Sequence, residues 1–263
     1  MGIKRILLGT LGEKRYLSLL SGAFQIVYPT GWLGSDYQDV YFLKKIIGRG
    51  AYCADIGAHL GYYTLELSRL AGPEGKVIAI EPMPKFNETL GRLLRKRGAK
   101  NVDLRQVALG GEGEWVEMGV PRVGKMKKFA YARVMQSADY MEYIESVKVP
   151  NESGDRLFGG LPRLDFIKCD VEGLEVQVFS SMMGVVGMHR PILLCELADK
   201  RERIKLFEMI RPLGYGAYRL LKDRLHPLDV YSDETAISHN HYFIPEKHAE
   251  RLKIDLPGRI FSY

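Results

Sequence analysis

The chain has 263 residues, 46% apolar and 27% charged, a globular composition that excludes a disordered tract, a collagen-like repeat and a small disulfide-stapled scaffold. Thirty-eight Lys and Arg against 32 Asp and Glu leave a formal charge of +6, which suits an anionic partner such as nucleic acid, a nucleotide sugar or a membrane surface without selecting one. Cys53, Cys169 and Cys195 cannot all pair, lie in or beside apolar runs and lack zinc-ligand spacing, so they read as buried free thiols of a cytoplasmic protein.

Residues 1–48 read as a helical extension and 49–263 as one α/β domain with an insertion at about 119–150. No apolar run approaches the ~20 residues that span a bilayer. Ile6–Leu11 is short, is followed at once by Glu13-Lys14-Arg15 and lacks a cleavage site, so it does not read as a secretion signal. Lys14 to Val27 is an amphipathic segment expected to pack on the main domain, a membrane-surface helix being the alternative.

Tyr37 to Ile47 predicts a helix capped by Ser35 or Asp36 and ended by Gly48-Arg49-Gly50. An alternation of short apolar strands and helices then sets in. Ala51–Ile56 is a strand, Tyr62–Leu70 a helix, Lys76–Glu81 a strand, Pro84–Arg97 a helix and Val102–Leu109 a strand. After a mixed stretch, Leu164–Asp170 and Ile192–Leu197 are strands followed by helices Leu174–Met183 and Arg201–Ile210. Strands of this kind need right-handed crossovers and a parallel sheet covered on both faces, a doubly wound, Rossmann-like α/β fold. Trp115–Met118 and Val147–Val149 read as edge strands flanking a basic loop, and the tail from Tyr215 to Pro245 as a terminal antiparallel pair. The bases crowding Arg92 to Lys100 read as a solvated helix face.

In such a sheet the ligand lies beyond the carboxyl ends of the strands, where the strand order reverses. The first strand ends in Asp55-Ile56-Gly57-Ala58-His59-Leu60-Gly61, whose glycines are four apart and lack the spacing that cradles a dinucleotide pyrophosphate. A leading carboxylate suits a ligand bearing an ammonium group, and Gly57 lets backbone approach closely. Glu81 ends the second strand 26 residues later, near the ~20-residue offset at which an acid accepts bonds from ribose hydroxyls. Capping of the helix after Pro82 is the plainer role for Glu81.

These segments resemble a known family. Asp55–Thr64, Gly75–Pro82 and Lys168-Cys169-Asp170-Val171-Glu172-Gly173-Leu174-Glu175 are similar, in the same order, to three signature blocks of FkbM-type S-adenosylmethionine-dependent methyltransferases, over roughly Gly50 to Pro245. The resemblance implies a class I methyltransferase fold and S-adenosylmethionine as cofactor, with O-methylation of a sugar, glycan or natural-product hydroxyl as the usual reaction. It places Asp55, Gly57, Ala58, His59 and Gly61 around the methionine part, Glu81 and Pro82 at the ribose and Val107-Ala108 along the adenine. His59 stands where the family usually has Asn, and Glu152–Leu157 lacks the family's Thr-Leu-Asp, a change read as affecting the acceptor side.

Asp170 and Glu172 are the candidate catalytic acids, Asp170 also bordering the cofactor. Either would act as base or, with Glu196 and His241, would hold a divalent ion. His239-Asn240-His241 reads more simply as a surface strand pair, and Lys168 with Glu175 as a surface or supporting ion pair. Tyr28–Trp32, the Lys125–Tyr143 insertion and parts of the tail would form the acceptor pocket, with Trp32, Tyr131 and Tyr143 against a sugar. The alternatives are an RNA methyltransferase, for which no RNA-binding module is recognisable, and a non-catalytic S-adenosylmethionine-binding regulator.

Overall fold

The computed structural model describes residues 15–24, 27, 37–123, 126–127, 133–134, 143–232 and 239–252. Helices α1 (15–24) and α2 (Gln38–Ile46) lead into β1 (Tyr52–Ile56), α3 (Tyr62–Ala71), β2 (Lys76–Ile80), α4 (Pro84–Arg97) and β3 (Val102–Arg105). The short β4 (Ala108–Leu109), β5 (Trp115–Val123), β6 (Met126–Lys127), β7 (Arg133–Val134) and β8 (Tyr143–Glu152) follow, then α5 (Gly154–Phe158) and β9 (Phe166–Cys169). The chain continues through α6 (Glu175–Ser180), α7 (Met183–His189), β10 (Ile192–Glu196), α8 (Lys200–Ile210), β11 (Tyr215–Leu221), β12 (Arg224–Pro227), β13 (Asn240–Pro245) and α9 (Glu246–Arg251).

Among the described residues, eight strands form the main sheet in the order β12-β11-β13-β10-β9-β1-β2-β3. The β3-β2-β1-β9-β10 portion is parallel, whereas β13, β11 and β12 add antiparallel strands at one edge. Strand order reverses between β1 and β9, so a crevice opens beyond their carboxyl ends. Side chains alternate between the faces. Ala54, Ile56, Ile78, Ile80, Ile167 and Leu193 pack against the residues of α6 to α8, whereas Cys53, Val77, Phe166 and Leu194 pack with α2 and α3. Burial on both sides explains why these strands are nearly continuous apolar runs.

The amino-terminal helices share that second core. Ser21 Oγ donates to the Leu60 carbonyl (2.8 Å), and the Phe24 ring lies 4.2 Å from that of Tyr62. Residues 35 and 36, expected to cap α2, lie outside the described residues; Tyr37 occupies the cap position without a side-chain bond. Asp39 of α2, 2% exposed, accepts from Tyr242 Oη (2.8 Å) and Asn240 Nδ2 (2.7 Å), clamping the helix to β13. Asp39→Ala removes the acceptor of both donors and is expected to cost about 2–4 kcal/mol in denaturant unfolding. A loss below about 0.5 kcal/mol would show that the clamp does not hold the helix.

Three expected elements are divided. Val102–Leu109 breaks after Arg105, and Ala108-Leu109 leaves the main sheet to pair with Asn151-Glu152 of β8. The Asn151 side chain fixes this exit by accepting from Gly111 N–H and donating to the carbonyls of Gly111 and Gly113. Leu174–Met183 is interrupted after Ser180, because the Asp155 carboxylate accepts the Gly184 and Val185 amides and so starts α7 anew. Those bonds give Asp155 a structural role at the start of α7. Among its described residues the tail holds three strands, β11 and β12 being joined by Lys222-Asp223, both at positive φ as in a two-residue hairpin.

β5 and β8 pair antiparallel and, with β4, β6 and β7, form a second sheet. Its Val116, Met118, Val120 and Val149 pack on Leu60, Met83, Phe86 and Ala108, closing one side of the crevice. Exposed Arg95, Lys96 and Arg97 end α4, where positive charge complements the helix dipole.

Candidate functional site

A cavity of about 320 Å³ occupies the crevice, within the usual ~300–1,000 Å³ of small-ligand sites. Of the sequence-derived candidates, Asp55, Gly57, Ala58, His59, Glu81, Pro82, Val107, Ala108, Asp170 and Glu172 line it. Gly61 does not. It holds a left-handed conformation at the start of α3, and a Cβ there would fall 2.4 Å from Leu90 Cδ1, so its smallness serves the packing of α3 on α4.

Asp55 closes β1 on the face covered by α3, is 2% exposed and accepts a hydrogen bond from Thr64 Oγ1 at Oδ2. Burial pushes its carboxyl up to about 6, although Thr64 and Lys168 draw it back. Glu81, 4% exposed, follows β2; Oε2 accepts from His59 N–H (2.7 Å) and Oε1 from Met83 N–H (2.8 Å). Burial pushes this group up to about 7, against those two amide bonds. Met83 is the cap residue of α4, so Glu81 does serve the helix start, yet it also lines the cavity and fixes the His59 loop.

Around these acids the walls are apolar and aromatic. Phe86 and Met83 begin α4, Leu109 follows Ala108, and Met118 enters from the second sheet. His59 tilts against Phe86 at 4.1 Å, and burial lowers its imidazole to about 4, so it is neutral at ordinary pH. The cavity thus combines buried carboxylates with apolar and aromatic walls, suited to a ligand with a cationic or hydroxylated part and a planar ring.

Several lining residues escape sequence reasoning. Met118, Phe86 and Tyr63 come from elements outside the strand ends, where no short motif marks them. Lys168 was legible only as half of an ion pair with Glu175, and here the structure corrects the reading. Its side chain is 2% exposed, its Nζ stands 3.2 Å from Asp170 Oδ2, and it lies 5.1 Å from the Tyr63 ring centroid. Glu175 instead accepts the Val171 and Gly173 amides and holds the loop after β9. In that loop Glu172 has φ +58° and Gly173 φ +99°, opposite His59 at φ +47°, so two strained turns face the same cavity.

His241 is buried rather than on a surface, with Nδ1 2.7 Å from the His239 carbonyl and its imidazole lowered to about 4, chiefly by burial. Among the described residues no group of three or more His, Cys, Asp and Glu could hold a metal ion, so the divalent-ion alternative finds no donor set there. Likewise, no helix of the described residues is long and apolar enough to cross a membrane. Tyr28–Trp32 and Tyr131 lie outside the described residues.

The FkbM methyltransferase domain model matches residues 55–223. The crystal structure of an FkbM methyltransferase from Methylobacillus flagellatus KT aligns with 80% of this chain and 48% of that one, at 19% identity and a TM-score of 0.51, a likeness of fold. A SAM-dependent O-methyltransferase from Thermotoga maritima aligns with 78% of this chain and 63% of its own, at 15% identity and a TM-score of 0.43. A putative rRNA methylase from Clostridium thermocellum aligns with 78% and 91%, at 11% identity and 0.45. The chain therefore spans about half to two thirds of the length of the first two. No curated protein matches the sequence. With the matched residues running from the Asp55 loop past β11, well over half of the chain, the protein belongs to the FkbM methyltransferase family.

Proposed function

We propose that this chain is an S-adenosylmethionine-dependent methyltransferase acting on a hydroxyl of a sugar, glycan or small natural product, with residues 49–263 as the transferring unit. One observation carries the reading: Asp55 and Glu81, at the ends of adjacent parallel strands, are both buried and both border one cavity with apolar walls. Buried carboxylates are costly unless something offsets them, and an ammonium and paired ribose hydroxyls would do so here. The residues thus fit an adenosyl amino acid.

When bound, the cofactor supplies a methyl group on a sulfonium, open to in-line displacement by an acceptor oxygen. Asp55 would face the ammonium, Glu81 the ribose hydroxyls, and Val107, Ala108, Met118 and Phe86 the adenine. Neutral His59 adds no repelling charge to that cationic ligand. Asp170 and Glu172, after β9, would flank the reacting end, where one orients the acceptor hydroxyl or takes its proton. Calorimetry with S-adenosylhomocysteine should give saturable, one-to-one binding, followed by product release with a panel of glycans and alcohols. Absence of binding to a folded chain would discard the whole reading; binding without transfer to any of the panel would favour a regulatory cofactor-binding protein.

A further inference from the structure

We propose that Thr64 is a positioning residue of this site: from the first turn of α3 its hydroxyl holds one oxygen of Asp55 and so orients that carboxylate towards the ammonium of the bound amino acid. This rests on the reading of the cavity as the cofactor site and deepens it, by adding a residue that stands behind the cavity wall.

The geometry starts at the strand end. Asp55 closes β1 on the face that α3 covers, and Thr64, the third residue of that helix, is 0% exposed. Thr64 Oγ1 donates to Asp55 Oδ2 at 2.5 Å, so two buried side chains nine residues apart tie the helix to the strand. Among the described residues this is the one side-chain hydrogen bond of the Asp55 carboxylate, and the Thr64 backbone faces the same group. Asp55 borders the cavity whereas Thr64 does not, which fits a residue acting through another.

Two features of the surroundings make the bond selective. A threonine in a helix commonly bonds the carbonyl four residues back. Here that carbonyl, of Leu60, accepts from Ser21 Oγ of α1 (2.8 Å), while the Thr64 hydroxyl is turned to the strand. Lys168 is the register partner of Asp55 on β9, yet its ammonium makes its ion pair with Asp170, 3.2 Å away, and lies 5.1 Å from the Tyr63 ring centroid. Asp55 is therefore held by a neutral hydroxyl and not by the neighbouring cation. A neutral donor satisfies one oxygen of a buried carboxylate without cancelling the charge that an ammonium needs; a lysine bonded there would compete with the ligand. Gly61, which does not line the cavity, contributes to the same end. With no Cβ it lets Leu90 of α4 pack against the start of α3, the turn that carries Thr64.

Calorimetry of the full chain with S-adenosylhomocysteine tests the assignment. Thr64→Val keeps the shape of the side chain and removes the donor, and affinity should fall by about fivefold or more. Thr64→Ser keeps the donor and should bind within about twofold of the wild type. A double-mutant cycle with Asp55→Asn supplies the readout that a merely structural role would not move: once the charge on residue 55 is gone, adding Thr64→Val should weaken binding by less than about twofold. Wild-type affinity in Thr64→Val, a Thr64→Ser variant as weak as Thr64→Val, or losses that multiply in the double variant would each overturn the proposal. Should Thr64→Val not fold, Thr64→Ala takes its place in the cycle with the same expectations. A wild type that does not bind the thioether would remove the cofactor reading and this assignment together, whereas wild-type binding that Thr64→Val leaves intact would remove the assignment alone.

Discussion

Gly57→Ala is expected to destabilise the protein by about 4 kcal/mol or more, a large share of the ~5–15 kcal/mol that holds a typical domain folded. Gly57 has φ +83°, and a Cβ built on it would lie 1.8 Å from the Asp170 carbonyl oxygen and 2.9 Å from its carbon. That neighbour is backbone and cannot swing aside. Asp170 N–H is bound to the Ile56 carbonyl (3.0 Å), and Gly57 N–H to Ile80 (3.0 Å), so relief of the clash must break strand-end bonds on one side or the other. Gly50→Ala provides the control, since Gly50 has φ +76° with no atom within 4 Å of its added Cβ. The control carries the backbone cost alone, about 1–2 kcal/mol. Denaturant unfolding of the two variants separates conformational strain from collision, and equal losses would show that the two loops do not abut. Close approach at Gly57 thus brings the first loop against the loop after β9, at a residue that also lines the cavity.

The central fold was legible because its strands are buried on both faces, where an apolar run of four or five residues has little other meaning. Strand ends were equally legible, since Asp55, Glu81 and Asp170 are acids that interrupt such runs at the point where an open parallel sheet binds its ligands. What failed had a common physical cause: side chains acting on distant backbone. Asn151 peels Ala108-Leu109 from the main sheet, and Asp155 restarts a helix at Gly184; neither bond has a local signature in sequence. The same cause hid Met118 and Phe86, which reach the cavity only because a second sheet folds over the crevice. Lys168 was misplaced for another reason. A lysine is ordinarily exposed, and here it is buried beside Asp170, just past the end of its own strand, and Tyr63 from α3.

Glu81→Ala is expected to weaken S-adenosylhomocysteine binding by about 1–3 kcal/mol, roughly 5- to 150-fold, through loss of charged hydrogen bonds to ribose. The structure adds a second consequence. Both carboxylate oxygens already accept backbone amides, from His59 and Met83, so truncation leaves two buried donors without their partner and frees the His59 loop. Stability should therefore fall together with affinity. Glu81→Gln separates these effects, because its amide oxygen still accepts one backbone bond while the charge is gone. The pH dependence has a definite sign. A carboxyl raised to about 7 in the folded, ligand-free chain binds its proton more tightly than in the unfolded chain, so its contribution is complete below about pH 4 and is lost as pH rises through 7. The wild-type melting temperature should decline over that window more steeply than that of Glu81→Gln. Matching slopes would mean that Glu81 titrates alike in both states, and unaltered affinity in Glu81→Ala would remove it from the ribose site.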